Sequence, residues 1–143
     1  MKVRQRKTNA FTLVEVMVVL IVVAVLTAFC VPSFQRALEQ SRADVAAANL
    51  RAIWSAERLY WLENHAYTAD LSGLQDLGMI DPEIVLSTTG YVYSATTAAD
   101  GFQATAERTG STFRSGQLMI DETGAISGEV TAGDGTVISP GFQ

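Results

Sequence analysis

The chain has 143 residues, 48% of them apolar and 17% charged, and its fifteen acidic and ten basic side chains leave a formal charge of −5. That length allows one compact domain rather than two, and a single cysteine excludes an intramolecular disulfide. The acidic balance argues against a nucleic-acid partner, because Arg36, Arg42, Arg51, Arg58, Arg108 and Arg114 form no basic stripe.

Residues 1–10, MKVRQRKTNA, hold four basic side chains and no acidic one. A segment of that charge stays on the cytoplasmic side of a membrane, so the chain is expected to insert N-in and C-out. Beyond it, fifteen acidic and six basic residues give a formal charge of −9, with no lysine after Lys7. Residues 11–31, FTLVEVMVVLIVVAVLTAFCV, are apolar except for Glu15 and two threonines. At about 1.5 Å per residue they make a helix of roughly 31 Å, close to the thickness of a bilayer's hydrocarbon core. Valine is a mediocre helix former in water, but a lone segment in lipid satisfies its backbone only as a helix. A carboxylate there costs roughly 2.5–3.5 kcal/mol at the bilayer centre, which marks Glu15 as a functional candidate. A secretory signal peptide fits poorly, because the apolar run continues past the carboxylate and no Ala-x-Ala site ends it. A lipoprotein box ending at Cys30 is opposed by Phe29, which is not small.

Pro32 removes one helix hydrogen bond and is expected to kink the helix without ending it. The following stretch to Asn64 has no further proline or glycine and is rich in Ala, Leu, Arg, Glu and Gln, so residues 32–64 are read as an amphipathic continuation. On a wheel, Leu50, Ile53, Trp54, Ala56, Tyr60 and Trp61 share one broad face, expected to pack on a sheet, while Asp44, Arg51 and Arg58 lie opposite. Glu57 falls within the apolar arc, and packing does not explain it. Arg36, Glu39, Arg42 and Asp44 read as a solvated face.

The helical pattern stops at Asn64-His65. Asp70 to Gly78 reads as a short helix, capped by Asp70 or Ser72 and terminated by Gly78. His65, the only histidine, lies close in sequence to Asp70 and Ser72, but no nucleophile elbow, second histidine or oxyanion loop accompanies it, so a catalytic triad is rejected. Tyr91 to Thr96, Phe102 to Arg108, Gln117 to Asp121 and Ala125 to Ser127 read as strands, with Ala99-Asp100-Gly101 and Glu122-Thr123-Gly124 as turns, in a small antiparallel meander. The glycine-rich end, GEVTAGDGTVISPGFQ, reads as a tail. A long helix followed by strands with no helix between them gives an α+β class, the sheet laid over the amphipathic half of the helix.

A short basic leader, then Ala10, Phe11-Thr12-Leu13-Val14-Glu15 and a long aliphatic run, resembles the prepilin leader and methylation motif of type IV pilins and type II secretion pseudopilins. NHAYTADLSGLQDLGMI is similar to the segment that follows the long helix in that family. The resemblance implies a type IV pilin-like fold, with one globular domain formed by 32–64 together with 65–143. It also implies removal of residues 1–10 by a prepilin peptidase cutting between Ala10 and Phe11, N-methylation of Phe11, and an assembly role for Glu15 opposite the amine of a neighbouring subunit. Pro32 matches the proline that bends the family's helix. Glycine is the family's usual residue before the cut; this chain has alanine.

As partners, the resemblance implies further copies of the chain in a helical filament, the peptidase, an inner-membrane assembly platform with its ATPase, and membrane lipid before assembly. The location implied is the inner membrane as a single-pass protein, then a surface pilus or a periplasmic pseudopilus. No cofactor is implied. Major pseudopilins commonly hold calcium in a C-terminal loop, for which Asp121, Glu122, Glu129 and Asp134 are the oxygen-bearing candidates here; their spacing lacks a dense carboxylate loop, and they read as solvated turn residues. The function expected is that of a structural, non-enzymatic filament subunit of a type IV pilus or pilus-like filament. The alternatives are a major or minor pseudopilin, or a membrane-tethered binding module that never polymerises.

Overall fold

The computed structural model of the chain describes residues 11–88, 90–98 and 101–141. Three helices precede five strands: α1 (Leu13–Asn64), α2 (Leu71–Asp76), α3 (Pro82–Leu86), β1 (Gly90–Ala98), β2 (Gly101–Thr109), β3 (Arg114–Asp121), β4 (Ile126–Ala132) and β5 (Val137–Ile138). The chain divides after Ala37 into two units.

In the first unit, Thr12 caps α1, its hydroxyl accepting the Glu15 N–H at 3.2 Å, the first half of a Thr-x-x-Glu capping box. The remaining hydroxyls of the apolar run turn back on their own helix. Thr27 Oγ1 donates to the carbonyls of Val23 at 2.9 Å and Ala24 at 3.0 Å, and Ser33 Oγ to that of Cys30 at 2.9 Å. Such back-bonding removes polar groups from an apolar surround at little cost. α1 remains helical through position 32.

In the second unit, α1 lies against a sheet whose order is β1-β2-β3-β4-β5, every neighbouring pair antiparallel. The class is α+β, as expected. The helix buries Glu39, Ala43, Ala46, Ala47, Leu50, Ile53, Ala56 and Glu57, a stripe at intervals of three and four that keeps to one face. Its alanines keep the first turns thin, and Leu50 and Ile53 fill the space below Ala104, Ala106, Leu118 and Ile120. Burying each large aliphatic side chain contributes roughly 1.5–3 kcal/mol, which makes this seam the main source of stability.

One feature of the packing face differs from expectation. Trp61 lies outside it, 41% exposed, its ring edge-on to His65 and tilted against Tyr67. Trp54 is half-buried at the seam's margin, and its indole N–H donates to the Glu122 carbonyl at 3.1 Å. The wheel gave both tryptophans one face, and seven residues do set them only about 20° apart; the difference lies along the axis, since the buried stripe of α1 ends at Glu57 and Trp61 stands one turn beyond it.

α2 starts at the expected cap, with Asp70 Oδ1 accepting the Ser72 N–H at 3.1 Å, and the Gly78 N–H closes the following turn on the Gln75 carbonyl at 2.8 Å. α3, unforeseen, has the same kind of start. Asp81 Oδ1 accepts the Glu83 N–H at 2.8 Å, with Pro82 in the first turn, where its missing N–H costs nothing.

The end of the chain is not a loose tail. β4 runs on to Ala132, and β5 returns along it with Ile138 buried in the core. Gln40 Nε2 donates to the Ser139 carbonyl at 2.8 Å, and Asp44 Oδ1 accepts the Gly141 N–H at 2.9 Å. Packing and these two bonds anchor an end that has no cysteine pair. Two glycines let β3 and β4 close on each other: Gly116 at φ +145° and Gly128 at φ +95°. A Cβ on Gly116 would stand 2.3 Å from the Glu129 carbonyl oxygen, and one on Gly128 2.2 Å from that of Gln117. Any side chain here forces the strands apart. Of the expected turn at Ala99-Asp100-Gly101, the first two residues lie outside the described residues.

Candidate functional site

The N-terminal part of α1 is apolar and exposed almost throughout. Phe11 is 78% and Leu13 75% exposed, and the aliphatic side chains from Val14 to Leu26 are open around the helix. α1 is the one helix among the described residues long and apolar enough to cross a membrane, with a mean hydropathy of 2.9 over its most apolar window. A helix apolar on every side fits burial among lipid or among other helices. It is consistent with a membrane anchor before assembly.

Glu15 is the single acidic side chain of this surface, standing in the first turn of α1. Its backbone N–H is held by Thr12, and its carboxylate makes no ion pair among the described residues. The partial positive charge of a helix N-terminus favours an acidic group there but does not neutralise it. Ala10 and the rest of the expected leader lie outside the described residues, as does the side chain of Pro32.

The expected solvated face at the start of the second unit is overturned by Glu39. Its side chain is wholly buried and gathers three arginines from three elements. Arg108 of β2 grips it with two nitrogens, Nε on Oε1 and Nη2 on Oε2 at 3.1 Å; Arg114 of β3 and Arg42 of α1 reach Oε2 at 3.1 and 3.3 Å. Arg108 also donates to the carbonyls of Gly90 and Thr109. Burial pushes the Glu39 carboxyl upward, but the bonds and charges of Arg108, Arg114 and Arg42 outweigh it and hold the group below its ordinary value. Tyr91 lies under the Arg108 guanidinium, and burial together with the Glu39 charge pushes its phenol up to about 12. The solvated-face reading failed at Glu39 because two of its partners come from strands more than sixty residues away. Asp44 is also engaged, by Gln40 and Gly141.

Glu57, the residue that packing left unexplained, is buried too. Oε2 accepts the Thr68 N–H at 3.1 Å and so ties the connecting segment to α1, while Oε1 has no hydrogen-bond partner. Burial raises its pKa, and the Thr68 bond offsets only part of the rise. His65 ends α1 with φ +53° and its N–H on the Trp61 carbonyl; it sits at the surface against Trp61.

Two of the four acidic residues named for calcium are engaged locally. Asp121 Oδ1 accepts from the Thr123 N–H and hydroxyl, and Asp134 Oδ1 from the Thr136 N–H at 2.9 Å. Those turn bonds lower both carboxyls. Glu122 and Glu129 are exposed. Among the described residues no group of three or more His, Cys, Asp or Glu side chains is arranged to hold a metal ion.

Residues 5–31 match the family model described as the prokaryotic N-terminal methylation motif. Over 74 residues, 52% of this chain, the sequence is 35% identical to the type II secretion system core protein G of Pseudomonas aeruginosa, covering 52% of that protein. It is 28% identical over 74 residues to the type IV wide pilus major component of Thermus thermophilus, covering 52% of this chain and 56% of that one. To the type IV major pilin protein of Myxococcus xanthus it is 29% identical over 62 residues, 43% of this chain and 28% of that one. The chain thus spans about half the length, or less, of the curated relatives it matches. No solved structure matches it.

Proposed function

We propose that the chain is a member of the family of type IV pilins and type II secretion pseudopilins, structural proteins rather than enzymes, and that it is processed, N-methylated and polymerised into a type IV pilus or pilus-like filament. Family membership implies filament assembly and processing by a prepilin peptidase.

The observation that carries this reading is Glu15, a carboxylate with no ion-pair partner among the described residues, at the head of an apolar helix exposed on all sides and inside the methylation motif. Cleavage between Ala10 and Phe11 creates an amine at Phe11, four residues from Glu15 in its own chain. A carboxylate in apolar surroundings is costly alone and stabilised beside an ammonium group. In a bundle of such helices the amine of a neighbouring copy supplies that partner. Because only one axial offset brings the two charges together, Glu15 selects the register of the incoming subunit. Before assembly the subunit waits in the inner membrane with its N-terminus in the cytoplasm, in keeping with four basic residues ahead of the apolar run and none within it. The assembly platform and its ATPase then extract the chain into the filament.

A second reading, a pseudopilin of a type II secretion system, is favoured by the 35% identity to a type II secretion system core protein. Intact mass distinguishes the two, measured on protein sheared from the cell surface and on protein from membranes. A sheared fraction with the mass of residues 11–143 plus one methyl group supports a pilus subunit. A processed chain confined to the membrane supports the pseudopilin, and an uncut chain refutes both.

A further inference from the structure

The chain beyond residue 10 is strongly acidic, yet its second unit concentrates three of six arginines on one carboxylate. Arg108, with a side chain 4% exposed, already matches Glu39 in charge and geometry. Arg114 and Arg42 are surplus, and their side chains are 21% and 54% exposed. They leave two positive charges at the margin of this unit, on the side of the sheet that faces α1.

The other side of the sheet carries the complement. Successive residues of a strand point to opposite faces. Arg108 points to α1, so its neighbour Glu107 points away, and Glu107 is exposed. Strand register places Glu107 opposite Gln117, and Gln117 opposite Glu129, so the three form one row across β2, β3 and β4, all exposed. Neighbouring strands are about 4.8 Å apart, which sets the two carboxylates roughly 10 Å from each other with an amide between them. Among the described residues neither glutamate has an ion-pair partner within the subunit.

We infer that Arg42 and Arg114 of one copy dock on the Glu107–Gln117–Glu129 row of a second copy. The two patches lie on opposite faces of one sheet and cannot satisfy each other within a subunit. Their pairing is therefore heterologous, and a heterologous contact that does not close into a ring propagates as an open helix. The contact rests on the filament reading and deepens it: beside the Glu15 register in the apolar helices, it supplies a second register between globular units, weakened by salt.

The test is charge reversal in the full-length chain, scored as the fraction recovered in filaments. Glu107→Lys with Glu129→Lys alters only exposed positions, so the unit keeps its melting temperature by tryptophan fluorescence while assembly falls at least about tenfold, a change of some 1.4 kcal/mol. Adding Arg42→Glu to that chain restores assembly, and mixing the Glu107→Lys/Glu129→Lys chain with an Arg42→Glu chain gives filaments containing both. Wild-type yield from the Glu107→Lys/Glu129→Lys chain, or no recovery on adding Arg42→Glu, overturns the pairing. Failure of the wild-type chain to form filaments at all would instead refute the filament reading, and the pairing with it.

Discussion

Replacing Glu39 by alanine is the sharpest perturbation of the globular unit. The substitution leaves Arg108, 4% exposed, with no carboxylate beside it, against the carbonyls of Gly90 and Thr109 and the ring of Tyr91, and removes the common partner of Arg42 and Arg114. An isolated surface pair contributes up to about 1 kcal/mol, but breaking a buried pair costs about 3–5 kcal/mol because a desolvated charge is left behind. For a unit of this size that lowers the melting temperature by on the order of 12 °C or more. Trp54 and Trp61, the only tryptophans, both lie in this unit, so fluorescence of the full chain in detergent reports its unfolding. The pH dependence gives a second handle. The Glu39 carboxyl sits below its ordinary value of 4.5, so its stabilisation is complete above that value and is lost as pH falls through the lowered one. Wild-type protein therefore loses this advantage over Glu39→Ala only in acid. A loss smaller than about 1 kcal/mol at neutral pH would show that the cluster behaves as a surface pair and refute the reasoning.

Glu15→Ala should leave the chain inserted and cut but reduce filament yield severely; normal filaments from this variant contradict the amine–carboxylate pairing. A bulky residue in place of Ala10 should block processing, seen as full-length chain in the membrane by intact mass. Gly116→Ala and Gly128→Ala should each destabilise the unit by more than the roughly 1 kcal/mol of an ordinary strand glycine substitution, since the added Cβ meets backbone at 2.3 and 2.2 Å; melting temperatures within a degree of wild type rule this out. Glu57 has a raised pKa, so its contribution is fully present below 4.5 and declines as pH rises through the raised value, opposite in sign to Glu39. Glu57→Gln should abolish that decline in a pH series of unfolding curves, and an unchanged slope would count against it.

Features that depend on neighbours in sequence were legible without coordinates. The length and uniform apolarity of residues 11–31 follow from composition, and the boundaries of α2 from a carboxylate cap and a terminating glycine. The strands up to Asp121 follow from alternation, because a half-buried sheet imposes a period of two. Legibility failed where a pattern was short or shared. α3, at five residues, is too brief to display a helical period, although Asp81-Pro82 carries its start signal. β5 consists of two residues and exists only because β4 offers an edge and the core accepts Ile138.

The sequence by itself determined an apolar helix with one carboxylate at its head, a motif that points to cleavage and methylation, and an α+β unit behind it. Each is encoded locally, in hydropathy, spacing and caps. Tertiary structure alone decided the fate of the charges. Glu39 read like an exposed helix acid and Glu57 like an unexplained member of the apolar arc, and only the return of β2, β3 and the His65–Thr68 segment onto α1 buries them, one under three guanidiniums and the other under a single amide. The division of charge between the two faces of the sheet likewise follows from strand register. Long-range electrostatics depends on which distant residues meet, and that is settled by packing, after local preferences have been met.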